Sequence, residues 1–392
     1  MKFFSKAAMA AAFGTVLLAG CAGGNASNTT TGAGGATTSP QVLAAAKKLT
    51  EENFAGTDRE LPKDGPKAVP GKTVWALVCS TAATGCMLPA KGFEEAGKEL
   101  GWNVKIADGK LDPSVYNSQI RSAVAAGADA IALFGTECAS TESALKAAKA
   151  AGVLLYAANA VDCDDKFAGG TALYDGKIVW DAGENGDDYE AFLRKISESL
   201  VAWVIAKTEG KANVLVMVED DTATTRHIGE DEVAALAKCG GCVVNTVPFT
   251  AADLLGGKMQ AKTSAALQKY PDANVVMVPT DATNLVGVAA GVQQVRAQGR
   301  EILLVGQEGV PGAVALIRKG EQSFALGRPW PWAGWASADG LNRLFAGEKQ
   351  VDPGFGFGAM DADHLPPADL YDGNPDTPSY KENYRRIWGV KS

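Results

Sequence analysis

From residue 73 onward, short apolar runs alternate with longer stretches of helical period. Val74-Trp75-Ala76-Leu77-Val78 is the first run, and residues 88–100 then repeat apolar side chains at the spacing of one helix face. Further strands are predicted at 104–107, 131–134 and 153–156, with helices at 113–126 and 141–151, and Pro113 stands at a first helical turn. An irregular acidic stretch, residues 162–188, interrupts the series. A helix over 189–208 then leads to strands at 214–218, 243–247, 275–278, 302–305 and 324–326, with helices between. Continuous apolar strands of this length predict parallel sheets covered by helices on both faces. Two successive series of similar size predict an α/β fold of two Rossmann-like lobes with parallel sheets joined by a hinge. In such sheets ligands sit beyond the carboxyl ends of the strands, so facing lobes share a binding cleft.

The first 21 residues follow a different pattern. Lys2 and Lys6 precede an apolar run over 7–18, which closes on Leu18-Ala19-Gly20-Cys21. Charged, apolar and small residues in that order make an export signal. The run is too short to span a bilayer core of about 30 Å. Cys21 directly after Leu-Ala-Gly resembles the bacterial lipobox; a plain secretory signal with an incidental cysteine is the alternative. Residues 1–20 are thus expected to be a signal peptide, with lipidated Cys21 anchoring the chain to the outer face of the cell membrane. Residues 21–70 are Gly/Ala/Asn/Thr-rich up to Pro40 and polar again from Thr50, and are expected to be a flexible linker. The net charge of −8 offers no basic footprint and argues against nucleic acid as a partner.

Export changes the meaning of the seven cysteines. With Cys21 set aside, six remain, an even set for an oxidising compartment. Of the fifteen possible connectivities, spacing favours Cys79–Cys86, Cys138–Cys163 and Cys239–Cys242. Cys239-Gly240-Gly241-Cys242 closes a helix instead of opening one, which points to a structural bridge over a redox motif. No metal and no cofactor are expected, since the two histidines lie at no ligand spacing from a cysteine pair.

Several ordered motifs carry a family resemblance. The first half contains Gly92-Phe93-Glu94-Glu95-Ala96, Gln119-Ile120, Gly127 and Asp129-Ala130-Ile131. The second contains Arg226-x-x-Gly229, Pro279-Thr280-Asp281 and Gly306-Gln307-Glu308-Gly309. Over residues 72–349 the chain resembles type I periplasmic binding proteins, in the sugar-binding branch of ribose- and galactose-binding proteins that serve ABC importers. The resemblance implies an N-terminal lobe of residues 71–188 plus 328–352 and a C-terminal lobe of 189–327 plus 353–365. Residues 366–392 are an extension, with Tyr380, Tyr384 and Trp388 at helical spacing.

Carrying the family's ligand positions over implies Thr81 and Thr84 after the first strand and Asn159 after the fourth. In the second lobe it implies Arg226, Thr280, Gln307 and Glu308, with Asp281 a helix cap beside Thr280. Arg328 ends the last strand, and Trp330 follows on the crossing between lobes. Charged planar side chains for hydroxyls and an indole for a C–H face suit a sugar. Arg226 has the alternative of pairing with Glu230, and Glu308 with Arg328. Two arginines against one glutamate also suit a carboxylate-bearing solute.

No catalytic constellation stands out, because His227 and His364 have no paired nucleophile. Gly71-Lys72-Thr73 is not a P-loop: Gly65 is one residue off the required spacing, and a strand follows it. The expectation is a non-enzyme, a monomer that captures a small polar solute and delivers it to an ABC transporter permease. A ligand-sensing partner of a membrane receptor is the alternative on the same fold.

Overall fold

The computed structural model describes residues 37–180 and 189–391. The signal peptide and Cys21 lie outside these residues, as does the end of the 162–188 segment.

The first element overturns the flexible linker expected through residue 70. Helix α1 (Pro40–Ala55) starts at Ser39, whose hydroxyl accepts the Val42 N–H, with Pro40 in the first turn. Val42, Leu43, Ala46, Leu49 and Phe54 form one apolar stripe, and Phe54 meets Phe324 edge-on at 6.1 Å. Residues 56–69 then run as an irregular strap from the second lobe to the first. The strap is held by Arg59 on Asp352 (2.8 Å), by the Asp64 carbonyl accepting from Arg343 (2.6 Å) and by the Val69 carbonyl accepting from Trp102 (2.8 Å). Its polar composition concealed these long-range partners.

In the first lobe, β1 (Thr73–Val78), β2 (Asn103–Asp108), β3 (Ala130–Phe134), β4 (Leu154–Asn159) and the short β5 (Gly176–Lys177) form one parallel sheet. Their order is β2-β1-β3-β4-β5. Helices α2 (Thr84–Glu99), α3 (Pro113–Ala125) and α4 (Cys138–Ala150) connect the strands. Every residue of β3 is buried, as a strand covered on both faces requires.

The second lobe begins with α5 (Tyr189–Lys207), on which α1 packs. Then follow β6 (Asn213–Glu219), α6 (Ala223–Ala237), β7 (Val243–Phe249), α7 (Ala251–Leu255), α8 (Met259–Lys269) and β8 (Val275–Met277). A short turn, α9 (Asp281–Thr283), runs through a π-helical segment (Asn284–Val288) into α10 (Ala289–Arg296). After it come β9 (Leu303–Glu308), α11 (Pro311–Arg318) and β10 (Phe324–Gly327). The chain returns to the first lobe as α12 (Trp330–Ala346), crosses once more to β11 (Gly358–Met360), and ends in α13 (Tyr380–Trp388). The second sheet is ordered β11-β10-β9-β8-β6-β7, and β11 is its single antiparallel member.

Trp330, Trp332 and Trp335 form the first turns of α12, on the crossing back to the first lobe. Gly92 and Gly334 let α2 and α12 touch, because a Cβ at either would strike a backbone carbonyl, that of Pro331 or Pro89. Helix α13 docks on α12, where Trp388 stacks on Trp335 at 5.6 Å. The three disulfides pair Cys79 with Cys86, Cys138 with Cys163, and Cys239 with Cys242.

Candidate functional site

The carboxyl ends of both sheets face each other across a cleft, and the cleft holds two contiguous chambers. The inner one, about 150 Å³, lies between the loop after β1, the ends of β4, β6 and β9, and the start of α12. Asn159, Thr280, Glu308, Arg328 and Trp330 line it, so five of the candidates read from the sequence come together here.

Arg328 is 3 % exposed, and its guanidinium donates to the Gln307 side-chain carbonyl. The guanidinium carbon lies 5.3 Å from the Trp330 ring centre and 5.8 Å from that of Phe192. Glu308, 8 % exposed, accepts the Asp281 N–H at 2.9 Å. Its backbone φ is +91°, a strained value for a residue with a Cβ and of the kind that concentrates at binding sites. Gly85 has no side chain to keep Glu308 of the opposite lobe away from the start of α2. Burial raises the Glu308 carboxyl, against the pull of Arg328.

Three buried polar atoms of residues lining this chamber have no partner among the described residues: Asn159 Oδ1, Arg328 Nε and Trp330 Nε1. A buried donor or acceptor left unpaired costs about 1–3 kcal/mol, so such a group needs an explanation.

The other candidates are placed elsewhere. Thr81 is exposed and holds Asp108 through its N–H and hydroxyl (3.0 and 2.9 Å), and Thr84 opens α2 without reaching either chamber. Gln307 and Asp281 are fully buried behind the chamber. Asp281 is not the cap of α9. Thr280 is, accepting the Thr283 N–H, while the Asp281 carboxylate accepts from Gly309 and Val310 and so shapes the loop after β9. Burial and the nearby Glu308 charge push the Asp281 carboxyl well above its usual range. Arg226 does not pair with Glu230, which holds Lys166 at 2.6 Å instead. Its guanidinium lies 3.9 Å over the Phe167 ring, in the outer chamber.

Sequence reasoning missed Tyr189, Glu219 and Glu137, and the wall formed by the Cys79–Cys86 bridge. Glu219 ends an apolar strand run, and that position relative to the sheet is the signal that would have found it. Burial, then the charges of Asp221, Glu137, Asp220 and Glu308, push the Glu219 carboxyl up to about 8 from an ordinary 4.5. The raised value means that the folded state holds the proton more tightly than the unfolded one. That stabilisation is complete below pH 4.5 and is lost as pH rises through about 8. Glu219→Gln mimics the protonated form, so its melting temperature should fall less than the parent's between pH 5 and pH 9 in paired thermal melts. Parallel curves would show that Glu219 does not titrate in this window.

The lobes touch directly at α6. Glu137 of the first lobe accepts the N–H groups of Ala223 and Thr224 at 2.6 Å each, capping a helix of the second lobe whose own cap residue, Thr222, turns its hydroxyl to Thr225 and caps no N–H. Asp165 meets His227 at 2.5 Å beside it. Asp165, Glu190 and His227 place ligand-type atoms within 4.8 Å of one another, but Asp165 is already bonded to His227 and to the Phe167 N–H. The second such cluster, Cys138, Asp162 and Cys163, contains the two disulfide-bonded cysteines and so offers no thiolate.

Residues 76–349 match the model of a family described as "Periplasmic binding protein domain". The chain belongs to that family. It is a family of solute-binding proteins acting outside the cytoplasm, and the fold is that of its type I members. A galactofuranose binding protein shares 17 % identity, with a TM-score of 0.59 over 82 % of this chain and 99 % of its own. A glucose-galactose binding protein from Geobacillus stearothermophilus shares 16 % identity, with a TM-score of 0.63 over 76 % of this chain and 99 % of its own. An ABC transporter solute binding protein from Agrobacterium vitis, bound with α-D-tagatopyranose, shares 19 % identity, with a TM-score of 0.64 over 76 % and 98 %. At these identities the likeness is one of fold. No curated protein matches the chain in sequence.

Proposed function

We propose that this chain captures a sugar in the interlobe cleft and delivers it to an ABC transporter permease, tethered to the outer face of the cell membrane through lipidated Cys21. The observation that carries the reading is the inner chamber. A buried guanidinium, a carboxylate, an amide and an indole from both lobes surround one small space, with unpaired polar atoms at three of them. Arg328 offers a fork of donors to adjacent hydroxyls, Glu308 and Asn159 offer acceptors, and the Trp330 ring offers a face for C–H groups. The sugar-bound and sugar-named structural neighbours support the same class of ligand.

Capture follows from closure. A solute bound to one lobe gains its remaining contacts only when the other lobe arrives, so it shifts the population toward the closed form. Glu137 on the start of α6 and Asp165 on His227 tie the two lobes together beside the cleft. The closed form then docks on the permease as a monomer, and the lipid tether keeps the diffusion path short. No chemistry on the solute is required.

Native mass spectrometry of the freshly purified full chain tests this. The expected result is a bound neutral mass matching a sugar, released unchanged on denaturation. A bound carboxylate-bearing metabolite would favour the alternative solute class, and a released product differing from the added ligand would point to an enzyme.

A further inference from the structure

We infer that the two terminal segments brace the hinge: the strap and the C-terminal extension add two passages between the lobes, knotted by Asp58, and hold the empty cleft near the geometry of this structure. The inference needs no ligand, so it stands or falls separately from sugar capture.

Among the described elements, the chain passes between the lobes three times from β5 to β11. The terminal segments add a fourth and a fifth passage, and both lie outside the family match over residues 76–349. The fourth is the strap. Its start is fixed to the second lobe by α1, where the Phe54 ring centre lies 4.1 Å from that of His364 and 6.1 Å from that of Phe324. Its end is fixed to the first lobe, where Asn342 of α12 accepts the Val69 N–H (3.0 Å) and donates to the Lys67 carbonyl (3.2 Å). Between these ends it runs backbone to backbone along the third passage. The Thr57 N–H donates to the Phe357 carbonyl (3.0 Å), and the Arg59 N–H to the Gly354 carbonyl (2.6 Å). A Cβ at Gly354 would strike the Glu60 carbonyl and one at Gly356 would strike Thr57, so the third passage is written to take the strap.

The fifth passage runs from Tyr371 to Tyr380. In the second lobe the Tyr371 side chain fills space that Gly327 and Gly358 leave by having no Cβ. In the first lobe Tyr380 stacks on Trp332 at 5.2 Å, and Lys381 and Arg385 hold Glu95 and Glu99 of α2 at 2.8 and 2.6 Å.

One carboxylate joins three of the passages. Asp58 of the strap accepts the Gly356 N–H (2.8 Å), the Asn374 N–H (2.7 Å) and the Thr377 hydroxyl (3.1 Å). Arg59 beside it holds Asp352 through two bonds of 2.8 Å. A hinge rotates by changing φ and ψ at a few connecting residues. Here connecting residues are bonded to one another, so rotating the lobes apart has to break charge-assisted hydrogen bonds. A cleft held in a binding-competent geometry loses little apparent affinity to conformers that cannot bind.

Small-angle X-ray scattering of the ligand-free full chain and of Asp58→Ala, Arg59→Ala and Glu137→Gln tests the inference, with circular dichroism as the control for folding. The parent's radius of gyration should match that calculated from this structure. Asp58→Ala and Arg59→Ala should expand while keeping native circular dichroism. In Asp58→Ala the Gly356 and Asn374 amides should also exchange hydrogen about tenfold faster. Arg59→Ala leaves the Asp58 bonds in place and carries the test if Asp58→Ala fails to fold. A parent already expanded beyond this structure would overturn the brace, and so would variants as compact as the parent. Expansion in Glu137→Gln alone would overturn it too, because the contact across the cleft would then be what holds the lobes. Loss of native circular dichroism in both strap variants would reduce the strap to a stabiliser of the fold, and the inference would fail.

Discussion

Arg328→Ala should lower affinity for the captured sugar by about 100-fold or more, because a fork of charge-assisted hydrogen bonds, each worth roughly 1.5–3 kcal/mol, is lost in a buried site. Arg328 is also the positive charge that opposes the raising of the Glu308 carboxyl. Without it, Glu308 and Glu219 share one buried chamber with no cation among its lining residues. Truncating one partner of a buried charge cluster typically costs about 3–5 kcal/mol. Glu308 can take up a proton instead, and the stability loss should therefore shrink as pH is lowered. Calorimetry for affinity and thermal melts at pH 5 and pH 8 would separate the two effects. Arg328→Lys keeps the charge but loses the planar fork, and should recover stability well ahead of affinity. Full affinity in Arg328→Ala would remove this residue from the ligand site.

The largest effect on stability alone is expected from Trp388→Ala, at about 3–5 kcal/mol for deleting a buried indole. Trp388 is stacked between Trp335 (5.6 Å) and Tyr384 (5.4 Å), and its indole N–H donates to Asp339 at 2.8 Å. Asp339 is buried with Arg343, and burial raises its carboxyl against the pull of Arg343 and Trp388, so losing the indole removes one of its few donors. Urea unfolding should show the loss directly. No residue of α13 lines either chamber, so the folded fraction should bind sugar with nearly the parent affinity. A matching fall in affinity would mean that α13 positions α12, and with it Trp330.

The strands were legible because buried parallel strands are written as uninterrupted apolar runs, as in residues 74–78 and 131–134. Helix α1 is also written in the sequence, as Ser39-Pro40 followed by the strong helix formers Ala, Leu, Lys and Glu, but the polar stretches on either side hide it. In the cleft, Asn159 and Glu308 end a strand and Arg328 directly follows one, so the positions implied by the family resemblance are ones the fold delivers there whatever surrounds them. Thr81 and Thr84 sit on the correct loop, but the Cys79–Cys86 bridge folds that loop so that Ala83 and Gly85 face the chamber. Phe167 could not be read at all. It reaches the cleft through an irregular segment whose path depends on the Cys138–Cys163 bridge and on Asp165, contacts between residues far apart in the chain.

Sugar capture by these residues stands or falls on a titration of the full chain and of Arg328→Ala with neutral sugars and organic acids, read as thermal stabilisation. For the parent, at least one sugar should raise the melting temperature progressively, as RT ln(1 + [L]/Kd) requires, while Arg328→Ala stays flat at the same concentrations. No shift with any sugar at millimolar concentration, or the same titration in the variant, would contradict it.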